Sequence, residues 1–425
     1  MMRVAIIGGG AAGLMAAATI HEDDPSVEIF LIERNDGLGK KVIISGGGRC
    51  NVTTGIRDVK ALLAKYPRGN KFLTSAMYAF PPEAVEAWFE SRGVPLKTQA
   101  DLRVFPVSDD GHDIVRAFEE LFAKSNVRVL LKTSATRVEK RGEEFFIHVK
   151  VPPKTSPCPS PLEGEGNVIV VDKLVLTTGG QAYRHTGSTG DGYAFATALG
   201  HTITQLAPSL NAFFTSETWP KEISGLSFEN ATITAIRDGR PSFAGPFLFT
   251  HKGVSGPAVF ALSSLVAFKP YDATNPLEIA IDLFPDTTVD DLRAKIENVA
   301  SANANKRFDN VLGLLVPKSL ADVIVDQLKI SKTKSANQVA KKDMARAAAW
   351  LKAIPLHVVQ RGAGDEFVTA GGVELSEVDP TTMESRICPG LYFAGEILDV
   401  DGFTGGFNLQ ASWAAGHLAG KSIRR

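Results

Sequence analysis

The feature that most constrains this chain is the run Gly8-x-Gly10-x-x-Gly13, because of what stands on either side of it. Val4 to Ile7 is a short apolar run that reads as a buried parallel strand. Ala11 to Ile20 is Ala-rich and free of breakers, and reads as a helix. Asp23 to Ser26 make a turn and Val27 to Ile32 a second apolar strand. Glu33 ends that strand, twenty residues after Gly13. Strand, glycine-rich turn, helix, strand and acid, in that order, form the dinucleotide-binding fingerprint in its required setting.

Each part of the motif has a physical reason. Gly8 permits the tight turn, Gly10 lets a pyrophosphate approach the backbone, and Gly13 lets the helix lie close to the strand. The helix N-terminus, with Ala12 in its first turn, offers unpaired N–H groups and partial positive charge to phosphates. Glu33 is placed to accept from ribose hydroxyls, and Arg34 follows it as a further candidate contact. The motif alone does not separate FAD from NAD.

At 425 residues the chain is long enough for two or three domains. Its 46 Lys and Arg nearly balance its 47 Asp and Glu, so neither a nucleic-acid partner nor another polyanion is expected. No apolar run has the roughly twenty residues a membrane span needs, so no membrane association is expected. The N-terminus enters a core strand at once, leaving no room for a signal peptide. Cys50, Cys158 and Cys388 are scattered and include no C-x-x-C pair, which indicates neither a disulfide framework nor a zinc site. A reducing cytoplasm is the expected compartment, with no metal.

After Glu33, Arg34 to Lys41 read as a polar loop. Val42 to Ile44 lead into Ser45-Gly46-Gly47-Gly48-Arg49-Cys50-Asn51. Three glycines in a row suit backbone lying flat against a ligand, or a flexible surface loop. Lys41 or Arg49 is placed to neutralise a phosphate or the anionic side of a flavin. Cys50 reads as a small packed residue rather than a redox thiol. Residues 57 to 125 read as helices joined by turns, one opened by Pro81-Pro82, the next capped by Asp109 or Asp110. Val127 to Leu131 is a third parallel-type strand running on to Ala135. Glu144 to Val151 and Val168 to Asp172 read as antiparallel strands around a mobile, dispensable loop, Pro152 to Asn167. Leu174 to Leu176 is another buried strand, ending in Thr177-Thr178-Gly179-Gly180. Asp191 either caps the helix Tyr193 to Leu199 or binds ligand.

From residue 204 to 285 short β-rich runs alternate with Gly and Pro, which predicts an inserted β-domain, a small barrel or an open sheet. Within it Thr250-His251 precede a Gly-x-Ser-Gly-Pro turn, and His251 is either structural or catalytic. Residues 286 to 353 read as a helical cap. Residues 1–203 and 354–425 are then one discontinuous domain. Its tail runs from the strand-like Leu391 to Phe393 through Ala394-Gly395-Glu396 and Gly405-Gly406 into an Ala-rich helix. A helix there aims its N–H groups where negative charge gathers on a reduced flavin, a requirement an NAD dehydrogenase lacks.

These motifs together resemble the BaiN/YhiN-like family of NAD(P)/FAD-dependent oxidoreductases, which includes the aminoacetone-oxidase-like flavoproteins. The markers are Gly8 to Gly13 with Glu33, Lys41 with Ser45 to Asn51, and Arg103-Val104-Phe105-Pro106-Val107-Ser108. Further markers are Phe249-Thr250-His251, Ala370-Gly371-Gly372-Val373, and Ala394-Gly395-Glu396 through Gly405 to Gln410. The resemblance implies an α/β, Rossmann-like FAD-binding domain of the two-dinucleotide-binding-fold type, with an inserted β-barrel and a helical segment. It implies that Gly8, Gly10 and Gly13 hold the pyrophosphate and Glu33 a ribose. Ser45, Gly46, Gly47, Arg49 and Asn51 would border the flavin, and the backbone of Ala135 the adenine. Thr178, Gly179 and Gly180 would pass close to the dinucleotide. Gly395, Glu396, Gly405, Gly406, Asn408 and Leu409 would hold the ribityl and ring end. Phe403 and Phe407 depart from the commoner pattern, in which Arg or Tyr often stands.

The reading is an FAD-dependent oxidoreductase that moves hydride between NAD(P)H, or another donor, and a small organic substrate. No second GxGxxG lies in a strand-to-helix setting, so NAD(P)H is expected to dock only transiently. His251 or Arg49 would polarise substrate or supply a proton. The alternatives are a non-catalytic redox-sensing flavoprotein and a flavin-dependent RNA-modifying enzyme.

Overall fold

A computed structural model describes residues 1–151, 167–236, 239–362 and 366–424. They form two compact units, Met1–Pro208 with Glu366–Arg425, and Ser209–Asp365, each around its own apolar core. Apart from Asn167, the loop expected from Pro152 to Asn167 lies outside the described residues.

The first unit is built on a five-stranded sheet in the order Leu391–Phe393, Lys173–Leu176, Arg3–Ile7, Glu28–Ile32, Val127–Leu130, with every pair parallel. Its inner strands are nearly continuous apolar runs because both faces are covered; Val4, Ala5, Ile6, Leu174, Val175 and Leu176 are fully buried. One cover is the front helix, Ala11–Asp23, and against it lies the rear helix, Phe407–Ser422. Small residues let the two backbones touch. A β-carbon on Gly416 would lie 2.3 Å from the Ala12 carbonyl oxygen, and one on Gly420 2.8 Å from Thr19 Cβ. The other side of the rear helix buries Trp413 completely, stacked on Phe118 and edge-on to Phe89. Burial of an aromatic of this size contributes roughly 2–3 kcal/mol.

Residues 57 to 125 hold the expected helices, Val59–Leu63, Thr74–Ala79, Pro82–Glu90 and His112–Phe122. They also hold two strands, Leu96–Thr98 and Arg103–Pro106, which with Thr53–Thr54 form a sheet that the sequence reading lacks. Strands of two to four residues are too short to show a period. Neither Asp109 nor Asp110 caps the last helix; Gly111 stands at its cap and Asp110 accepts from His112 N–H just inside. Arg34 to Lys41 is not all loop either, since Lys40–Ile44 turns into a short helix.

The second unit contains a closed six-stranded barrel. Its order is Phe213–Thr215, Gly253–Ser255, Ser242–Thr250, Ser227–Ala235, Leu277–Asp282, Ile354–Arg361. The last strand corrects the expected boundary at residue 354. Ile354–Arg361 pairs with both Leu277–Asp282 and Phe213–Thr215, closing the barrel instead of beginning the returning segment. The intervening helices, Val289–Ala302 to Lys341–Lys352, share the barrel's core, so they are not a separate body.

Candidate functional site

The front turn is fixed from three sides. Gly8 has φ +113, and a β-carbon there would lie 2.5 Å from the Thr177 carbonyl oxygen. The Thr177 hydroxyl donates to the Gly8 carbonyl at 2.9 Å. Gly13 is bare because a β-carbon would lie 1.9 Å from that same carbonyl oxygen. The Glu33 carboxylate, 8 % exposed, accepts from the Gly9 N–H, the Asn35 N–H and Asn35 Nδ2, each at 2.8 Å. Gly10 differs from its neighbours: a β-carbon on it would meet nothing within 4 Å. It stands at the N-cap of the front helix with no side chain capping the first turn. The helix therefore presents free N–H groups and partial positive charge to open space beside Gly10.

Glu396, Lys41, Thr369 and Gly180 meet at one place. Lys41 Nζ lies 2.6 Å from Glu396 Oε2, with the two side chains 29 % and 15 % exposed. Glu396 Oε1 accepts from Thr369 N–H at 2.8 Å, and Thr369 Oγ1 accepts from Gln181 N–H at 2.7 Å. Gly180 has no room for a β-carbon, which would lie 2.4 Å from Thr369 Oγ1 and 3.0 Å from Glu396 Oε1. Gly395 adjoins the front helix, its β-carbon position being 2.9 Å from Ala12 Cβ. Close by, two buried hydroxyls, Thr178 Oγ1 and Tyr193 Oη, have no hydrogen-bond partner among the described residues. Burial, with the charges of Glu396 and Asp399, pushes the Tyr193 phenol far above its ordinary pKa and keeps it protonated.

The triple-glycine loop is a short 3₁₀ turn, Ser45–Gly48, with Gly46 and Gly47 at positive φ. Gly47 and Gly48 are exposed and open, with nothing within 4 Å of a β-carbon position. Gly46 instead fits against Asn51 and Phe105. Cys50 beneath is fully buried, and burial pushes its thiol up to about 12, so it is an inert packed residue as expected. The Asn51 amide, set with its oxygen toward the rear turn, accepts from Gly406 N–H at 2.8 Å and donates to the Thr53 carbonyl at 3.0 Å.

The rear turn leads into a helix that also lacks a side-chain cap. Gly406 has φ +86, and a β-carbon on it would lie 2.2 Å from the Thr53 carbonyl oxygen. Asn408 spends its amide on the turn, with Oδ1 accepting from Gly402 N–H and Nδ2 donating to Gly402 O, both at 2.8 Å. Leu409 is half-buried against the core. Gln410, fully buried, accepts from Thr53 Oγ1 at 2.6 Å and donates to Phe80 O at 2.9 Å.

Arg34 donates to Thr189 Oγ1 and pairs with Asp191, each at 2.5 Å; Asp191 does not cap the helix Asp191–Ala198, whose N-cap is Gly190. Arg49 lies 4.0 Å over the Phe105 ring and 3.7 Å from Asp109. Ala135 sits in the strand Ser134–Arg141 opposite Val149, next to an irregularity in the ladder. His251 belongs to the second unit, in the exposed turn between Ser242–Thr250 and Gly253–Ser255. Sequence reasoning missed Thr177 and Thr369 as braces of their glycines. It also missed Tyr66 and Arg68 beside the rear turn. The visible hint was a threonine directly after the Lys173–Leu176 strand, a residue whose hydroxyl can bond a neighbouring backbone turn. Among the described residues no cluster suits a metal ion, and no helix is long and apolar enough to cross a membrane.

Residues 2–422 match the family described as HI0933-like protein Rossmann domain. The chain is 28% identical over 429 residues to the 3-dehydro-bile acid delta(4,6)-reductase of Clostridium scindens, covering 99% of both chains. It is 29% identical over 428 residues to the ribosomal RNA dihydrouridine synthase of Haemophilus influenzae, covering 99% of this chain and 98% of the other. A solved quinol-fumarate reductase with menaquinol molecules shares the fold, with a TM-score of 0.50 at 13% identity, over 99% of this chain and 71% of that one. With the parallel sheet, the open Gly10 turn and the full-length match together, the chain belongs to the HI0933-like family, a family of Rossmann-type FAD-binding oxidoreductases.

Proposed function

We propose that the protein is an FAD-dependent oxidoreductase that takes electrons from NAD(P)H, or another small donor, and reduces an organic acceptor. The observation that carries this is the open face at Gly10, an uncapped helix N-terminus with no β-carbon in the way. The residues present fit FAD. Gly10 and the front helix would take the pyrophosphate. Gly47 and Gly48 leave a bare backbone face, and Thr178 Oγ1 is a buried hydroxyl with no partner among the described residues. When bound, the flavin supplies two-electron chemistry, accepting and giving hydride.

The chain's own residues bind, orient and polarise. Lys41 and Glu396 hold one another, so the Lys41 ammonium would stand fixed beside the ribityl and phosphate end. Glu33 would offer its carboxylate edge to a ribose while bracing Gly9. The rear helix would direct N–H groups at the pyrimidine edge of the ring. His251 or Arg49 would polarise the acceptor or donate the proton that accompanies hydride. A His251→Ala protein that keeps full FAD content and full turnover removes His251 from that role.

The names of the two relatives, a reductase and a dihydrouridine synthase, support reduction as the direction of the reaction. The second name also supports a second reading, reduction of a base in RNA. One experiment separates them. The purified protein is expected to be yellow and to bleach anaerobically with NADH or NADPH. Enones, quinones, amines and ribosomal RNA are then screened for reoxidation, with salt-dependent RNA retention as the control. A colourless protein that takes up no FAD on refolding ends both readings.

A further inference from the structure

The stretch Lys65-Tyr66-Pro67-Arg68-Gly69 carries no dinucleotide signature, yet its contacts converge on the turn that opens the rear helix. Arg68 donates through Nε and Nη2 to both carboxylate oxygens of Asp401, whose side chain is fully buried. The two backbones form an antiparallel bridge. Phe403 N–H donates to the Lys65 carbonyl at 3.0 Å, and Tyr66 Oη donates to the Phe407 carbonyl at 2.6 Å. Gly69 has φ +75, and a β-carbon there would lie 2.5 Å from Val400 Cγ2. Asn408 ties the same turn from inside through Gly402. So residues 400 to 407 are gripped along their length by a segment more than three hundred residues earlier.

The chemistry of the grip matters. A planar guanidinium on both carboxylate oxygens fixes orientation as well as distance, which a point charge does not. Gly405 and Gly406, at φ +136 and +86, lie between this anchor and the first helical turn. Glycines do not hold a direction by themselves, so the groups that grip them, Asn51 on the Gly406 N–H and this anchor on the turn before it, supply it. We infer that Arg68 is a positioning residue for the flavin. Through Asp401 it sets where the first N–H groups of the rear helix point, and so how strongly they stabilise the negative charge that reduction places on the ring. This rests on the FAD reading above.

The test uses the full chain loaded with FAD, as wild type, Arg68→Lys, Arg68→Met and the double variant Arg68→Met with Asp401→Leu. The double variant replaces a buried ion pair with apolar contact, so it keeps the fold where Arg68→Met alone leaves a buried charge unpaired. FAD dissociation constants are measured for the oxidised and reduced forms, together with the midpoint potential. Arg68→Met and the double variant are expected to bind oxidised FAD about tenfold more weakly and reduced FAD about a hundredfold more weakly. That extra tenfold is a fall of about 30 mV for a two-electron couple. Arg68→Lys, which keeps the charge without the fork, is expected to fall between. A wild-type potential in the double variant, whatever its stability, overturns the inference and leaves Arg68 a brace of the fold only. Wild-type protein that binds no FAD overturns the cofactor reading, and this inference with it.

Discussion

The turn after the first strand and the turn before the last helix are built alike. Each is glycine-rich, each opens a long helix that no side chain caps, and the two helices lie against one another. Their glycines nevertheless serve different neighbours. In the front turn Gly8 and Gly13 make room for protein, while Gly10 faces nothing within 4 Å. In the rear turn a β-carbon on Gly405 would meet the Phe407 ring and one on Gly406 the Thr53 carbonyl, so neither position has room for a side chain. The front turn leaves one glycine facing open space. The rear turn sets its glycines against the chain itself.

One methyl group added to each turn should therefore have opposite consequences. Gly406→Ala puts a β-carbon 2.2 Å from backbone at φ +86. Left-handed strain and overlap together should cost about 3–5 kcal/mol in chemical denaturation. Gly10→Ala meets no atom, and its φ of −84 suits any residue. It should unfold within about 0.5 kcal/mol of wild type yet, on the proposed FAD reading, bind FAD about a hundredfold more weakly, because the methyl would occupy the space assigned to the pyrophosphate. If Gly10→Ala keeps its FAD affinity, the contrast between the turns fails at its front half.

The seam between the two helices couples the turns, and it holds a histidine. His417 stacks on Phe80 with ring centroids 4.3 Å apart, and its Nδ1 lies 3.2 Å from Thr19 Oγ1. Burial first, then the Lys421 ammonium, brings its pKa down to about 4, against a partial opposing pull from Asp23. The unfolded chain takes up that proton near pH 6.5, the folded chain only near pH 4. Between those values the unfolded state binds more protons, so stability rises with pH there and falls on acidification. The loss by pH 4 should be about 2–3 kcal/mol, with FAD released as the seam loosens. His417→Phe keeps the stacked ring and should flatten this limb of the stability–pH curve. An unchanged limb would place the acid sensitivity elsewhere.

The front turn was legible in the sequence because its constraints lie within the first thirty-three residues. Strand, glycines, helix and acid each leave a local pattern. The rear turn was legible as Gly-Gly before a helix, but its anchors were not. Asp401 gives no sign that Arg68 is its partner, and Gly406 none that Thr53 lies behind it. Barrel closure was hidden in the same way. Ile354 to Val359 has β character, but the strand that Ile354–Arg361 joins, Phe213–Thr215, precedes a whole helical segment. The strand Ser227–Ala235 hides its register likewise, since its pairing with Ser242–Thr250 shifts between Phe228 and Ala231. Local composition records what a segment forms; which distant segment it meets depends on the register of packing between them.

The smallest effect tests whether Glu33 belongs to the protein as much as to the ligand. Its position read as a ribose contact, and its carboxylate accepts three hydrogen bonds from Gly9 and Asn35. Glu33→Gln keeps the shape and one oxygen but turns an NH₂ toward an N–H it cannot satisfy. A residue serving only the ribose would lose FAD affinity and leave the FAD-free protein as stable as before. A residue that also braces the front turn should lower the stability of the FAD-free protein by about 1–2 kcal/mol, the cost of a buried donor left unmatched. Unfolding the FAD-free variant beside wild type separates the two. Unchanged stability would mean that Gly9 finds another acceptor, and that the front turn, unlike the rear, is held by its glycines and Thr177 alone.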